Sequence, residues 1–377
     1  MGEHTKRSTI VVLADAFRND YLHPEYTPFL WSLKDKGVYV KKLYNNGGYC
    51  ERTCTMCGAT PDISDNFFAM ALRPFGYKKP FYEPIFNVPM ELRDKLGMTE
   101  DTSVDTEPNS FGIESIWDVL RKEGKTFQFE ACFALGVRSF KGRTTHGSRP
   151  IFLKDGFKKH YDYYYMQLSE TDIYQHRIGA GLENMGGIVK WTDGTVEWLY
   201  EAARRELGEF NFMFFGDHGQ TNIKQKIDFN LDYKGYSFGW DYLYLKSSAA
   251  IQFWTYNKDI DNVILADRKL NEYGTFIKTP TENKLGISER QASIVWRANE
   301  GVLVSPCHFH GANEELKAMH GYAPDIDSEK GMALIIDGEH KGTVEQGNLV
   351  DICSTSCDLV GVRYPEKNVG ISLLKQL

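Results

Sequence analysis

FNFMFFGDHG, residues 210–219, is the stretch on which the fold turns. The nearly unbroken apolar run from Phe210 to Phe215 has the character of a strand buried on both faces of a parallel sheet, and it stops at Gly216-Asp217-His218. The same pattern occurs near the start of the chain, where Ile10 to Ala14 is continuously apolar and ends at Asp15. Open α/β sheets bind ligands just outside the carboxyl ends of their strands, so both acidic exits mark one candidate edge. A single Asp after a strand is also a common turn residue. An Asp-His pair directly after a buried run is a more specific signal.

Outward from these two strands the chain alternates apolar runs with amphipathic stretches, which predicts α/β architecture. Thr27 as N-cap, Pro28 in the first turn, Phe29, Leu30 and Leu33 on one face and Gly37 as terminator predict a helix. Ser115 to Lys122 reads as a helix, Phe127 to Phe133 and Tyr161 to Leu168 as strands, and Thr195 to Leu207 as a helix. A late strand is expected at Ala333 to Ile336 and a closing amphipathic helix at Leu349 to Val360. Two regions break this rhythm, about 62–110 (rich in Pro, Phe and Tyr) and about 222–310 (strands mixed with loops), and both are expected to cap the core.

At 377 residues the chain is long enough for one large α/β core with inserted lobes. Its net charge of −7 argues against general binding to nucleic acid or to an anionic membrane. A phosphate substrate remains compatible with that charge, because bound metal ions invert the field locally. The first apolar run meets Asp15 too soon to be a signal peptide, and no stretch approaches the length of a membrane span. Seven cysteines with no secretion signal read as reduced thiols, so the expected location is the cytoplasm. Aromatic residues make up 14% of the chain; most belong to a core, and some are available to line a cleft.

Three further residues join the acidic exits. If the segment after Asp172 is helical, Asp172 and His176 stand at i and i+4 on one face. His320 lies in the Gly- and Pro-rich loop His320-Gly321-Tyr322-Ala323-Pro324; alone it would be an ordinary loop histidine. Asp15, Asp172, His176, Asp217, His218 and His320 together supply three carboxylates and three imidazoles. That is enough for two mixed N/O sites suited to zinc, with manganese the alternative. Two such ions about 4 Å apart can clamp the attacking and leaving oxygens of an in-line displacement at phosphorus.

Five segments, in order, carry a family resemblance: VVLADAFRNDYL (11–22), TPFLWSLKDKGV (27–38), ETDIYQHRIG (170–179), FFGDHGQT (214–221) and MHGYAPD (319–325). The tail LVDICSTSCDLVGV (349–362) is similar to the helix that closes the same fold. The chain resembles the alkaline phosphatase superfamily, and within it the type I phosphodiesterase/nucleotide pyrophosphatase branch. The resemblance implies an α/β three-layer sandwich with a mostly parallel central sheet and helices on both faces. It would form a single catalytic domain over residues 1–377, with the two capping insertions inside it. It also implies one metal held by Asp172, His176 and His320, and a second held by Asp15, Asp217 and His218.

The nucleophile window departs from the family pattern. It reads Asn45-Asn46-Gly47-Gly48-Tyr49-Cys50-Glu51-Arg52-Thr53-Cys54-Thr55-Met56-Cys57-Gly58, with Cys57-Gly58 standing where relatives show Thr-Gly. Counting back puts the nucleophile at or next to Cys50, which would open a helix whose free amides favour a thiolate or a bound phosphate. Thr53 is the second choice, and Cys50 as a plain buried residue is the bland alternative. Arg52 and Asn46 are the candidates for holding a phosphate oxygen. Cys50-Glu51-Arg52 does not match the C-x-P/A-x-R motif that sulfatases oxidise.

The expected activity is phosphodiester or nucleotide-pyrophosphate hydrolysis with two divalent ions, on a small phosphorylated substrate. The rivals are a phosphomonoesterase, a phosphonate hydrolase, a sulfatase and a metal-binding relative without catalysis. The sequence leaves the oligomeric state open.

Overall fold

Ser8–Ala14 (β1) is buried at every position, as its apolar run requires, and it runs through the middle of a seven-stranded sheet. The computed structural model describes residues 7–45, 51–64, 71–74, 98–101, 113–130, 157, 160–278, 292–307, 310–311 and 313–377. Along the chain β1 is followed by α1 (Pro28–Leu33), β2 (Val38–Tyr44), α2 (Glu51–Cys57), α3 (Pro61–Ser64) and the hairpin β3 (Ala71–Pro74) and β4 (Met98–Asp101). Then come α4 (Ile116–Lys122), β5 (Phe127–Glu130), β6 (Tyr163–Leu168), α5 (Glu170–Ile178), α6 (Leu182–Leu207) and β7 (Phe210–Phe215). Short strands β8 (Thr221–Asn222) and β9 (Gln225–Ile227) lead to β10 (Tyr242–Lys246), β11 (Ala250–Thr255), α7 (Asp259–Leu265), α8 (Arg268–Tyr273), β12 (Gly274–Lys278) and β13 (Ile294–Ala298). The chain closes with β14 (Val302–Val304), β15 (Ala318–Met319), β16 (Gly331–Ile336), β17 (Gly342–Asn348) and α9 (Asp351–Val360).

The large sheet has the order β17-β2-β16-β7-β1-β6-β5. All neighbours are parallel except β16, which runs antiparallel to both β2 and β7. The exits of β1, β6, β7 and β2 therefore share one edge with the entry of β16. One face of the sheet packs Val11, Leu13, Tyr163 and Tyr165 against Trp117 of α4, Cys54 of α2 and Ile352 of α9. The other face packs Val12, Tyr164 and Phe214 against Leu30 of α1 and Met185 and Val189 of α6. This is the expected three-layer α/β sandwich. Tyr163, Tyr164 and Tyr165 alternate between the two faces and are core residues. Trp117 sets its ring against Phe127, Phe129, Tyr163 and Tyr165, knitting α4 onto β5 and β6.

Several local expectations need revision. Thr27 stands at the N-cap of α1, but its side chain makes no capping bond. The free amides of Phe29 and Leu30 donate to buried Asp193 on α6, at 3.0 and 2.9 Å, so the cap comes from a neighbouring helix. The α1 helix stops at Leu33, before Gly37. Gly37 is a point of close approach, where a Cβ would lie 2.0 Å from the Ile335 carbonyl oxygen. The helix expected from Thr195 starts thirteen residues earlier, at Leu182, and runs 26 residues. Gly186, Gly187 and Gly194 hid its first half, because glycine lowers helix propensity wherever it stands.

Within 222–310 a second, antiparallel sheet forms in the order β10-β11-β13-β12. It has its own core of Phe229, Leu231, Ile251, Phe253, Ile260, Leu270 and Trp296, which continues to Met319 and Tyr322. Of 62–110, only residues 62–64 and the two short strands β3 and β4 are among the described residues. No helix among the described residues is long and apolar enough to cross a membrane.

Candidate metal centre

The shared edge of the large sheet gathers all six Asp and His residues singled out in the sequence. Asp15 follows β1 directly, Asp172 and His176 stand on successive turns of α5 just after β6, and Asp217 and His218 follow β7. His320 comes from the loop after β15, whose neighbours Met319 and Tyr322 belong to the core of the second sheet. Gly216 lets the first and third of these segments meet: a Cβ there would lie 2.0 Å from the Phe17 carbonyl oxygen.

His218 is the pivot. Its Nε2 lies 3.4 Å from Asp15 Oδ1 and 3.7 Å from Asp217 Oδ2, while its ring stacks on His320 at 4.1 Å and 17°. Across the centre, His176 Nε2 lies 3.3 Å from Asp172 Oδ1, and His320 Nε2 lies 4.0 Å from the same oxygen. Two groups of donor atoms each fall within 4.8 Å of one another: Asp15, Asp217 and His218, and Asp172, His218 and His320. The first group is the one expected for the second metal. The other has His218 in the position expected of His176, whose ring is 5.6 Å from that of His320. The two groups share one imidazole and are therefore adjacent.

The charge states suit a cation. His176 and His218 each place Nδ1 3.0 Å from a backbone carbonyl, of Ala318 and Gly219 respectively. A carbonyl only accepts, so Nδ1 carries a proton in each ring; Nε2 faces the carboxylates, and in the neutral ring it presents its lone pair to the centre. Burial and the adjacent His218 push His320 well below the usual imidazole range. Burial opposes ionisation of Asp172, but its hydrogen bond to His176 and the charges of the surrounding imidazoles prevail and hold it below the usual carboxylate range. Burial likewise opposes protonation of His176, which its bond to Asp172 nonetheless raises. Three carboxylates and three imidazoles converge with acceptor atoms facing one another, an arrangement that needs positive charge between them.

A second layer, which the sequence did not reveal, holds these groups in place. Gln167 donates to Asp15 Oδ2 at 2.8 Å, and Gln220 donates to Asp172 Oδ1 at 2.6 Å. Ala16 has a left-handed φ of 56°, unusual for a residue with a side chain. Its amide donates to Asp217 Oδ1 at 3.0 Å and its carbonyl accepts from Gln175 at 2.8 Å, so that conformation is gripped from both sides. Thr171 donates its hydroxyl to the Asp15 carbonyl. Gln220 and Gln175 sit beside or between the candidate ligands in sequence, which is the only local signal they offer. Glu329, buried at the entry of β16, and Arg297, buried within β13, offer none.

Of the nucleophile and substrate candidates, Cys50 and Asn46 lie outside the described residues. Arg52 is in the first turn of α2, and Thr53 beside it is fully buried. Their window, Asn45 to Gly58, opens at the exit of β2, on the edge that carries the six Asp and His candidates, and takes in α2.

The family model described as type I phosphodiesterase/nucleotide pyrophosphatase matches residues 81–323. Among solved structures, murine ectonucleotide pyrophosphatase/phosphodiesterase 5, as an inactive variant in complex with AMP, is 18% identical with a TM-score of 0.72. Its human counterpart is 16% identical with a TM-score of 0.71. Each alignment covers 95% of this chain and 96% of the other. These likenesses show the alkaline-phosphatase-like fold. No curated protein sequence matches the chain.

Proposed function

The chain belongs to the type I phosphodiesterase/nucleotide pyrophosphatase family, and on that premise we propose that it hydrolyses phosphodiesters or nucleotide-type pyrophosphates at the six-residue centre. The observation that carries the reading is the pair of adjacent Asp/His donor groups sharing His218. Asp15, Asp217 and His218 would hold one divalent ion; Asp172 and His320, flanked by His176, would hold the other, with His218 between the two. The mixed N/O donor set suits zinc, with manganese the alternative. When bound, two such ions supply Lewis-acid stabilisation of the attacking group and of the leaving oxygen at phosphorus.

The chain's own residues would do the rest. Cys50, just ahead of α2, is the first choice as nucleophile and Thr53 the second; burial of the Thr53 side chain supports this order. Attack by the nucleophile on phosphorus would displace the leaving oxygen, and water would then release the phosphoryl group. Arg52 and Asn46 are the candidates for the non-bridging oxygens. The AMP held by the murine structural neighbour supports a nucleotide-type substrate. Cytoplasmic location remains our reading, supported by the thiols of Cys57, Cys353 and Cys357, which form no disulfide.

The test is turnover of bis-p-nitrophenyl phosphate, p-nitrophenyl phosphate and the matching sulfate ester by chelator-stripped protein reloaded with zinc or manganese. The expected result is metal-dependent hydrolysis that favours the diester. A preference for the sulfate ester, or no turnover with either metal, would overturn the reading. Cys50→Ala and Thr53→Ala separate the nucleophiles, and full activity in both would sink both assignments.

A further inference from the structure

His320 is the one ligand candidate that does not leave a strand of the large sheet or stand on the helix after one. Its backbone comes from a loop between the two sheets, and something must hold it in register with Asp172 and His218. The following dipeptide, Gly321-Tyr322, shows what does. Both of its amides donate to one carboxylate oxygen, Glu329 Oε2, at 2.7 and 3.0 Å. Both of its carbonyls accept from one guanidinium nitrogen, Arg297 Nη1, at 2.6 and 2.8 Å. Glu329 belongs to the large-sheet side, at the entry of β16, and Arg297 lies within β13 of the second sheet. They are 6% and 3% exposed, so neither side chain is there to meet solvent. The other Glu329 oxygen accepts from the Thr221 hydroxyl at 3.0 Å, and its backbone carbonyl accepts from the Gly219 amide at 2.9 Å. Glu329 therefore ties the His320 loop to the Asp217-His218 loop.

We propose that Arg297 and Glu329 are positioning residues that clamp the Gly321-Tyr322 backbone and thereby hold His320 in its metal-binding position, making the second sheet a structural partner of the centre. This rests on the proposed reading of the six residues as metal ligands. A backbone fully hydrogen-bonded to two buried polar side chains has little freedom to shift, because moving it leaves their donors and acceptors desolvated and unpaired. All four bonds to the Gly321-Tyr322 backbone act on the His320 loop, and the Asp217-His218 loop is reached only through Thr221 and the Glu329 main chain, so loss of the clamp has a signature that general destabilisation lacks. Arg297 acts through His320 alone. Glu329 acts mainly through His320 and secondarily, by way of Thr221, on the neighbouring loop.

Zinc titration against a competing chromophoric chelator, on stripped full-length protein, tests this in wild type, Thr221→Val, Arg297→Lys, Arg297→Met and Glu329→Gln. Wild type is expected to bind two zinc ions. Arg297→Met and Glu329→Gln should weaken one of the two by about 10- to 100-fold, as loss of outer partners of metal ligands does, and leave the other tight. Arg297→Lys should recover part of the loss, and Thr221→Val should show a smaller one. On the diester, kcat should fall with KM unchanged. Thr221→Val and Arg297→Lys keep the test decisive if a harsher variant does not fold. Unchanged affinities in all variants, or equal weakening of both ions, would overturn the clamp alone. Wild type that binds no zinc would overturn the clamp together with the reading of the centre.

Discussion

The two sheets treat buried charge differently. In the large sheet the strands nearest the centre carry no charged residue, and the charged side chains appear after the strands end, at Asp15, Asp172 and Asp217. In the smaller sheet charge sits inside the strands: Lys246 on β10 and Arg297 on β13 are 6% and 3% exposed. Lys246 pairs with Asp228 at 3.3 Å, whereas Arg297 spends two of its bonds on the backbone beside His320. A charge at a strand exit is free to face a ligand; a charge within a strand must find its partner in the protein. On the proposed reading, the first kind holds the metal ions, and Arg297, of the second kind, fixes where one of their ligands stands.

Breaking the large-sheet side should have the largest effect. Asp217 is at once a donor candidate and the acceptor for the Ala16 and His218 amides. Asp217→Asn should lower kcat/KM for the diester by about a thousandfold, the rate equivalent of losing several kcal/mol of metal stabilisation. Denaturant midpoints of the stripped protein should change little, because one of three converging negative charges is gone. A loss of less than tenfold would remove Asp217 from the centre.

The smaller sheet answers in stability. Trp296, buried against Phe229 and bonded through its indole N–H to the Leu270 carbonyl at 2.8 Å, anchors that core. Trp296→Ala should cost about 3–5 kcal/mol in urea unfolding, the range for deleting a buried large aromatic.

A pH series sharpens the link between the two. Burial raises the Glu329 carboxyl from 4.5 to about 7, against its bonds from Thr221, Gly321 and Tyr322. The folded state thus holds a proton that the unfolded chain has released. The resulting stability is fully present below pH 4.5 and is lost as pH rises through about 7, a decline on the order of a few kcal/mol. Urea midpoints of stripped protein on either side of that window should show the decline, and Glu329→Gln should flatten it. An equal slope in that variant would assign the titration elsewhere.

The smallest effect belongs to a helix remote from both contrasts. Ser115 and Asp118 form a reciprocal capping box on α4. Ser115→Ala should cost about 1 kcal/mol by thermal unfolding and leave zinc affinity untouched.

The sequence reading was strongest where one short segment carries both the backbone pattern and the charged residue. Phe210–Phe215 followed by Asp217-His218, and Ile10–Ala14 followed by Asp15, declare strand and exit together. Asp172 and His176 needed only a helix, which α5 provides. The capping of α1 by Asp193 was not legible, because Thr27 occupies the usual place and the true acceptor lies 163 residues from Leu30. The front half of α6 was hidden by its glycines, Gly186 among them, which lies against the Tyr26 ring.

By itself, then, the sequence determined the sandwich and the strand exits at which the Asp and His candidates stand, since burial periodicity and the residue at a strand exit are local properties. Only the tertiary structure decided that His218 stands between the two donor groups and that Gln167, Gln220, Glu329 and Arg297 hold the groups around them. Those choices depend on which distant segments the chain packs side by side. A hydrogen bond such as that from Arg297 to Tyr322 has no periodicity to announce it.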